Sequence, residues 1–114
     1  MCEKIEFVLQ RIDFIFQTVE QAGYVTKALD DEVTYRAAIL MHLSQIGEEM
    51  NKIDVEILSK MDLLLDAKGA YDVRNFIVHS YEGVNLALVE RIIKEKLPVL
   101  KNKFYKYLKE NCKG

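Results

Sequence analysis

The apolar residues of this chain recur with the period of an α-helix from one end to the other, and this pattern restricts the fold more than any other feature. No stretch of useful length alternates between apolar and polar residues as a β-strand would, and the chain contains only five glycines and one proline. The first predicted helix shows the pattern well, with apolar residues at steps of three and four: Ile5, Val8, Leu9, Ile12, Ile15, Phe16 and Val19. We therefore predict an all-α protein.

The periodicity divides the chain into four or five helices with short connections, which is typical of an antiparallel bundle. Lys68-Gly69 is expected to separate the third helix from the fourth. Pro98 is expected to kink the last helix, because an interior proline removes a hydrogen bond. No repeat or linker interrupts the pattern, so we expect residues 1–114 to form a single domain. The predicted helices cover about residues 3–21, 30–53, 55–65 and 70–80, followed by a helix that Asn85 caps.

The second predicted helix is apolar on two faces. The first face carries Ile39, Leu43, Ile46, Met50 and Ile53, and the second carries Val33, Ala37, Leu40 and Met41 and continues through Ser44 to Gly47-Glu48. A helix with two apolar faces must be buried on two sides. In a chain of this size we expect the second side to meet a partner subunit in a two-fold homodimer. His42 lies among these apolar residues, and we interpret it as a core or interface residue.

The composition excludes some classes of protein. Half of the residues are hydrophobic and 30% are charged, as in an ordinary soluble protein, and no apolar run approaches the ~20 residues that span a bilayer. The first residues lack the uninterrupted apolar segment of a signal peptide, so we predict a cytoplasmic protein with no membrane contact. Cys2 and Cys112 have no second cysteine or histidine at metal-ligand spacing. We expect two terminal thiols without a role rather than a zinc site.

Charge is distributed unevenly along the chain. From Asn85 to Gly114 there are eight Lys and Arg residues against three Asp and Glu residues, a local balance of +5. The remaining residues then carry 8 − 15 = −7, which gives the net charge of −2. The basic end is suited either to a polyanion or an acidic partner or, as is common for lysine-rich helices, to a solvated face.

One stretch of the fourth predicted helix, VRNFIVHSYEG, concentrates chemically active side chains. Arg74 is always cationic and offers a rigid fork of donors that matches phosphate, whereas His79 titrates near neutrality and can move a proton in either direction. Together they suit a phosphodiester substrate. In RNA the 2′-hydroxyl can act as the nucleophile, so no metal or other cofactor is required. On a helix the two side chains are about 140° apart and flank a face. The alternative interpretation is a surface arginine and a helix-end histidine.

The longer pattern around these residues resembles that of a known family. Arg74-Asn-Phe-Ile-Val-His79-Ser-Tyr81 is similar to the R-x4-H-x-Y motif of the HepT family, within the HEPN superfamily. The segment from Ser44 to Ile53 resembles the second helix of that family, which contains Ile-Gly-Glu, and Leu97-Pro-Val-Leu-Lys101 resembles its final helix. The resemblance extends over nearly the whole chain and implies a HEPN-like helical bundle.

This resemblance also implies an activity and a partner. HepT proteins are toxins of two-gene toxin–antitoxin modules. They form homodimers in which the arginine and histidine of both subunits line a cleft that cleaves RNA without metal. The antitoxin, MntA, is a minimal nucleotidyltransferase that transfers AMP to the tyrosine of the motif. Carried over to this chain, Arg74 and His79 are catalytic, Asn75 is a supporting residue, and Tyr81 is the site of AMP transfer.

Some residues admit two interpretations. Tyr81 is either the modified residue or a helix-end aromatic that packs on the next helix. Glu48 either orients Arg74 across the cleft or is solvated, as we expect of Glu49. The family often has a proline–tryptophan pair shortly before the arginine, and here Tyr71 is the aromatic residue in that region. Two other functions fit the sequence: a non-catalytic helical partner for a small nucleotidyltransferase, and a structural dimerisation domain.

Overall fold

The computed structural model describes residues 1–112, and in that range the chain forms six helices and no β-strand. The helices are α1 (Cys2–Ala22), α2 (Val25–Asp30), α3 (Glu32–Arg36 and Ala37–Met50), α4 (Val55–Lys60), α5 (Leu64–His79) and α6 (Leu86–Arg91, Ile92–Lys96 and Leu97–Asn111). The segments Glu32–Arg36 and Ile92–Lys96 are π-helical, and a 3₁₀ turn, Tyr81–Gly83, follows α5. The all-α prediction is confirmed.

Helix α3 is central to the packing, because it has extensive contacts with both α1 and α5. Helix α6 packs against α1 and also contacts α2. The side chains that are completely buried between the helices include Phe104, Ile5, Ile12, Ile15, Leu29, Ile39, Leu40, Ile46 and Met50. Burial of one such side chain is worth roughly 1.5–3 kcal/mol, so the core stabilises these helices more than their local propensity does.

The two apolar faces of α3 differ in burial within the single chain. Met41, on the second predicted face, is 55% exposed, and Val33 on the same face is 88% exposed, although Leu40 is buried. Part of the second face is therefore open in one chain, and its burial by a second subunit stays a prediction. All five residues of the first predicted face are buried: Ile39, Leu43, Ile46, Met50 and Ile53.

The break between the third and fourth predicted helices lies earlier than expected. Asp62 has a φ of 55°, in the left-handed region, and the amide of Leu63 donates to the carbonyl of Leu58 at 2.8 Å, so the chain turns there. Lys68-Gly69, the expected break, lies inside α5. That prediction is wrong because one glycine costs a helix only about 1 kcal/mol, which the packing of α5 on α3 outweighs.

Other helix ends follow local signals in the sequence. Gly23, with a φ of 113°, ends α1, and the side chains of Asp31 and Asn85 accept hydrogen bonds at 2.9 and 3.1 Å from amides three residues further on. Helix α2 is an addition to the four or five predicted helices, since its six residues are too few to show a periodicity. Ahead of Pro98, where a kink was expected, the backbone forms the π-helical turn Ile92–Lys96.

The two cysteines form a disulfide, so the prediction of two terminal thiols without a role is wrong. Cys2 and Cys112 are separated by 110 positions in the sequence, yet their Cα atoms lie 6.0 Å apart. The packing of α6 against α1 brings the start of the first helix beside the end of the last. Spacing in the sequence does not show such a pair, because the pairing depends on which helices are neighbours.

In the part of the chain that the structure describes, no helix is long and apolar enough to cross a membrane. The cytoplasmic location stays a prediction. Disulfides are rare in that compartment, where thiols are kept reduced.

Candidate functional site

The site is built where α3 and α5 touch, and the contact is made at Gly47. A Cβ atom at this position would overlap the carbonyl oxygen of Ala70 and would lie 2.8 Å from the Cβ atom of Arg74. Only glycine therefore fits without a shift of one helix against the other. The close approach places Glu48, the next residue of α3, beside Arg74 of α5.

Arg74 is held by groups from both helices. Its Nε atom lies 2.9 Å from the Oε2 atom of Glu48, and its Nη1 atom donates to the Oδ1 atom of Asn75 at 2.8 Å. The Glu48 oxygen is within ion-pair distance but lies off the direction of a well-aligned hydrogen bond, so charge attraction is the main component of this contact. The guanidinium carbon is 5.6 Å from the centre of the Tyr71 ring.

These contacts fix the direction of the guanidinium and leave part of it free. The side chain of Arg74 is 27% exposed, and its Nη2 atom donates no hydrogen bond to a residue between 1 and 112. A phosphate oxygen can therefore be bound by Arg74 without breaking the contacts to Glu48 and Asn75. Asn75 is thus a direct hydrogen-bond partner of Arg74, and its supporting role in function stays a prediction.

His79 is the last residue of α5 and is exposed to solvent. Its imidazole makes no hydrogen bond or ion pair with a residue of the described range, so both ring nitrogens are open to a ligand. In a regular helix the side chains of Arg74 and His79 point in directions about 140° apart around the helix axis. The structure therefore holds Arg74 rigidly, leaves His79 open, and places both on one helix.

Tyr81 lies in the 3₁₀ turn just beyond α5. The turn is closed by the amide of Gly83, which donates to the carbonyl of Ser80 at 2.8 Å, and Tyr81 itself is 40% exposed. Its hydroxyl makes no hydrogen bond with another residue from 1 to 112. The phenol is therefore accessible and lies two residues from the imidazole of His79.

A second polar cluster lies where α1 meets α3. The guanidinium carbon of Arg11 is 4.3 Å from the centre of the Phe7 ring and 5.5 Å from that of Phe14, and the rings of Phe14 and His42 are 5.3 Å apart. The Nε atom of Arg11, the Nδ1 atom of His42 and the Oε1 atom of Gln45 are buried without a hydrogen-bond partner among the described residues. Buried polar atoms are normally paired, so these three atoms are exceptions within the described chain.

The cluster also changes the titration of its histidine. Burial lowers the pKa of His42 below its usual value of 6.5, and the positive charge of Arg11 lowers it further. A contact with Gln45 raises the pKa by a smaller amount, and it is too poorly aligned to satisfy the Nδ1 atom as a hydrogen bond. Gln45 is about one helical turn from both His42 and Glu48, so it lies on α3 between the cluster and the Arg74 site.

The comparison with protein families decides what kind of protein this is. A model of the family described as ribonuclease HepT-like matches residues 8–107 of the 114-residue chain. The chain is a member of the ribonuclease HepT-like family. The match includes Gly47, Glu48, the Arg74-to-His79 segment and Tyr81, and so covers the whole site described above. Searches of curated proteins and of solved structures each gave no significant match.

Membership of the HepT-like family agrees with the resemblance that the sequence shows, and the structure adds residues that the motif does not contain. Of the two interpretations of Glu48, the structure supports the pairing with Arg74. The carboxylate of Glu49, which was expected to be solvated, lies 3.5 Å from the Nζ atom of Lys52, and its side chain is 22% exposed. The clue in the sequence is the pair Gly47-Glu48, where a residue without a side chain precedes a charged one. Among residues 1–112, no three Asp, Glu, His or Cys side chains converge as a metal site.

Proposed function

We propose that this protein is an endoribonuclease toxin in which Arg74 and His79 cleave RNA through its own 2′-hydroxyl. The observation that carries the proposal is the half-buried guanidinium of Arg74, oriented by Glu48 and Asn75, on the same helix as an unpaired, exposed imidazole. Membership of the ribonuclease HepT-like family supports an activity on RNA.

The proposed reaction needs two proton transfers and stabilisation of one charge. A general base removes the proton of the 2′-hydroxyl, whose oxygen attacks the adjacent phosphorus. The bond from phosphorus to the 5′-oxygen breaks as a general acid protonates that oxygen. The products are a 2′,3′-cyclic phosphate and a 5′-hydroxyl. Arg74 stabilises the negative charge on the phosphorus oxygens, and His79 performs one of the proton transfers. The chemistry as proposed is independent of metal.

A two-fold homodimer completes this proposal. Each chain has one exposed histidine in the motif, whereas the reaction moves two protons, so a second copy supplies the second His79. The open part of the second apolar face of α3 supports this arrangement, because Met41 and Val33 are exposed in the single chain. A two-fold interface would bury the same face on both subunits.

The homodimer can be tested at Met41, which is exposed on the second apolar face of α3. We expect Met41→Asp to dissociate the dimer, since a carboxylate would be buried in the interface without a partner. Val99→Asp is the matched control, because Val99 has a similar exposure on α6. Molecular mass from light scattering over a range of concentrations distinguishes the variants. A monomeric wild type, or a dimeric Met41→Asp, would contradict the arrangement.

Tyr81 is the proposed site at which the toxin is neutralised. Its hydroxyl oxygen attacks the α-phosphorus of ATP and releases pyrophosphate, and the hydroxyl proton passes to a base of the transferase, a small MntA-like nucleotidyltransferase. The resulting tyrosyl-AMP adds a negative phosphate two residues from His79, where it repels RNA and competes for Arg74. The exposure of Tyr81 supports access by a transferase.

A non-catalytic role is the second candidate. The exposure of Tyr81 fits equally well a helical module that presents this tyrosine to a nucleotidyltransferase without cleaving RNA. This candidate needs the same partner, and it leaves Arg74 and His79 without a catalytic role.

One experiment separates the two functions. Wild-type protein, confirmed as unmodified by intact mass, is incubated with total RNA in excess EDTA beside His79→Ala. We expect cleavage by the wild type and a rate roughly 10²–10⁴ lower for the variant, as for loss of a general acid or base. Circular dichroism confirms that the variant keeps its helices. Intact RNA in both samples would favour the binding module, and equal cleavage in both would exclude His79.

A further inference from the structure

The basic end of the chain contributes to a groove away from the proposed cleft. A cavity of about 370 Å³ lies between the end of α4 and one face of α6. Lys60 comes from α4, and Lys103 and Lys106 come from α6, so the fold brings together lysines that are far apart in the sequence. This surface, which we call the lysine groove, is completed by Met61, Tyr107, Glu110 and Asn111. Lys113 lies outside the described residues.

The three lysines of the groove are available for an external anion. None of them forms an ion pair with a residue between 1 and 112, whereas Lys101 on the same helix is held by Asp13 at 2.8 Å. Lys103 makes one long contact, 3.4 Å from its Nζ atom to a backbone carbonyl, and keeps other protons free. The groove contains one carboxylate, Glu110, against three ammonium groups, so its net charge is positive.

An aromatic side chain lies among these lysines. Tyr107 is half-buried against the core, which limits its motion, and Asn111 donates to the carbonyl of Tyr107 at 3.0 Å. A positive groove with an aromatic wall is the arrangement by which proteins hold single-stranded nucleic acid, because lysines bind the phosphates and the ring stacks with a base. An acidic peptide would use the lysines but has no group that requires the ring. The combination favours RNA.

We infer that the lysine groove binds the phosphate backbone of single-stranded RNA, with Tyr107 against a base, at a distance from the site of cleavage. This inference rests on the proposed ribonuclease function. The groove adjoins the start of α5 and His79 ends that helix, whose 16 residues span about 24 Å. An RNA strand that reaches both places is therefore several nucleotides long. The groove selects for length and single-strandedness, whereas Arg74 and His79 act on one phosphodiester.

The test compares two triple variants with the same loss of charge. The groove variant is Lys60→Gln/Lys103→Gln/Lys106→Gln, and the control is Lys4→Gln/Lys27→Gln/Lys96→Gln, three lysines outside α4 and α5 that also lack an ion pair with any described residue. The probe is a fluorescent 2′-O-methyl RNA strand, which has no free 2′-hydroxyl and is not cleaved by the proposed reaction. Anisotropy titrations at several salt concentrations give the affinity and its salt dependence.

We expect the groove variant to bind the probe about tenfold or more weakly than the control variant. The slope of log K against log salt should fall by about 2, as for three lost phosphate contacts at about 0.7 each. An equal loss in both variants would overturn the inference, because it would show an effect of overall charge. Wild-type affinity in the groove variant would also overturn the inference. An acidic protein would then be the expected ligand of the groove.

Cleavage measured in parallel keeps the two proposals separate. A wild type that binds the probe through the groove but cuts no natural RNA would contradict the ribonuclease and support the groove. A groove variant that cuts and binds long RNA as well as the wild type does would contradict the groove alone. Thermal unfolding of each variant confirms that the substitutions leave the fold intact.

Discussion

At the scale of single residues, the position of Arg74 depends on a partner from another helix. Glu48 contributes charge and direction to the guanidinium without touching the proposed substrate, so it is a positioning residue. Because both side chains are partly exposed, the ion pair adds at most about 1 kcal/mol to stability. The ion pair matters because it orients the guanidinium of Arg74. Displacement of a reacting group by about 1 Å can lower a rate by about a hundredfold.

We therefore expect Glu48→Gln to lower kcat for RNA cleavage by about ten- to a hundredfold while changing KM little. The amide keeps the size of the side chain and removes its charge. Glu49→Gln is the matched control, since Glu49 is the adjacent residue and faces Lys52 instead. The measurement is single-turnover cleavage of a defined RNA, with thermal unfolding as the check on the fold. Equal losses in both variants would contradict a specific role of Glu48, because Glu49 pairs with Lys52 and not with Arg74.

His42 makes stability depend on pH. Its pKa is lowered in the folded protein, so the unfolded chain binds more protons between that lowered pKa and about 6.5. The free energy of unfolding therefore falls as the pH drops below about 6.5. Above that pH His42 is neutral in both states, so its titration no longer changes stability. We expect the melting temperature to decrease from pH 7.5 to 5.5, and His42→Gln to reduce the decrease. An unchanged decrease in the variant would assign it to other groups.

At the scale of elements, the contact between α3 and α5 determines the geometry of the site. Gly47 allows the backbones to touch, and Gly69 lies on a face of α5 where a Cβ atom would meet nothing within 4 Å. The two helical glycines thus offer a direct comparison. One is required by packing, and the other only weakens its helix.

We expect Gly47→Ala to destabilise the protein by about 1–3 kcal/mol, because the added methyl group overlaps the Ala70 backbone, and to reduce RNA cleavage by displacing Arg74. Gly69→Ala should stabilise the protein by about 0.4–1 kcal/mol, since alanine restricts the unfolded chain and fits the helix. Urea unfolding measures both changes. A Gly47→Ala protein as stable and as active as the wild type would show that α3 and α5 can separate without consequence.

The helices differ in how far their sequence predicts them. Caps at Asp31 and Asn85 were predictable, because a cap is decided by residues within one turn. The motif on α5 was predictable as a motif, whereas the contact of Glu48 with Arg74 depends on which helices are neighbours. For the same reason the sequence did not show that Arg11 lies over two phenylalanine rings with its Nε atom buried.

At the scale of the whole molecule, the disulfide joins the first helix to the last. The loop that it closes spans nearly the entire described chain, from Cys2 to Cys112. A cross-link of this kind restricts the unfolded chain, and for a loop of about a hundred residues the entropic account gives about 4–5 kcal/mol. A protein of this size has a total stability of only about 5–15 kcal/mol, so the bond is a large part of it.

We expect a reducing agent to lower the melting temperature substantially, and Cys2→Ser to lower it to the same value with or without reductant. Differential scanning calorimetry measures the shift, and alkylation followed by intact mass establishes the redox state of each sample. If the oxidised and reduced wild-type proteins melted at the same temperature, the loop would contribute nothing to stability. RNA cleavage by the reduced protein then shows whether the site needs the bond.

The same cross-link affects how an unfoldase can thread this protein into a protease. An unfoldase that grips one terminus normally pulls a single strand through its pore. Here residues 2–112 form one covalently closed loop, so a strand that is drawn past Cys2 or Cys112 brings its partner strand with it. Two strands must then enter the pore together, or the bond must first be reduced. Reduction therefore decides whether this loop passes such a pore as one strand or as two.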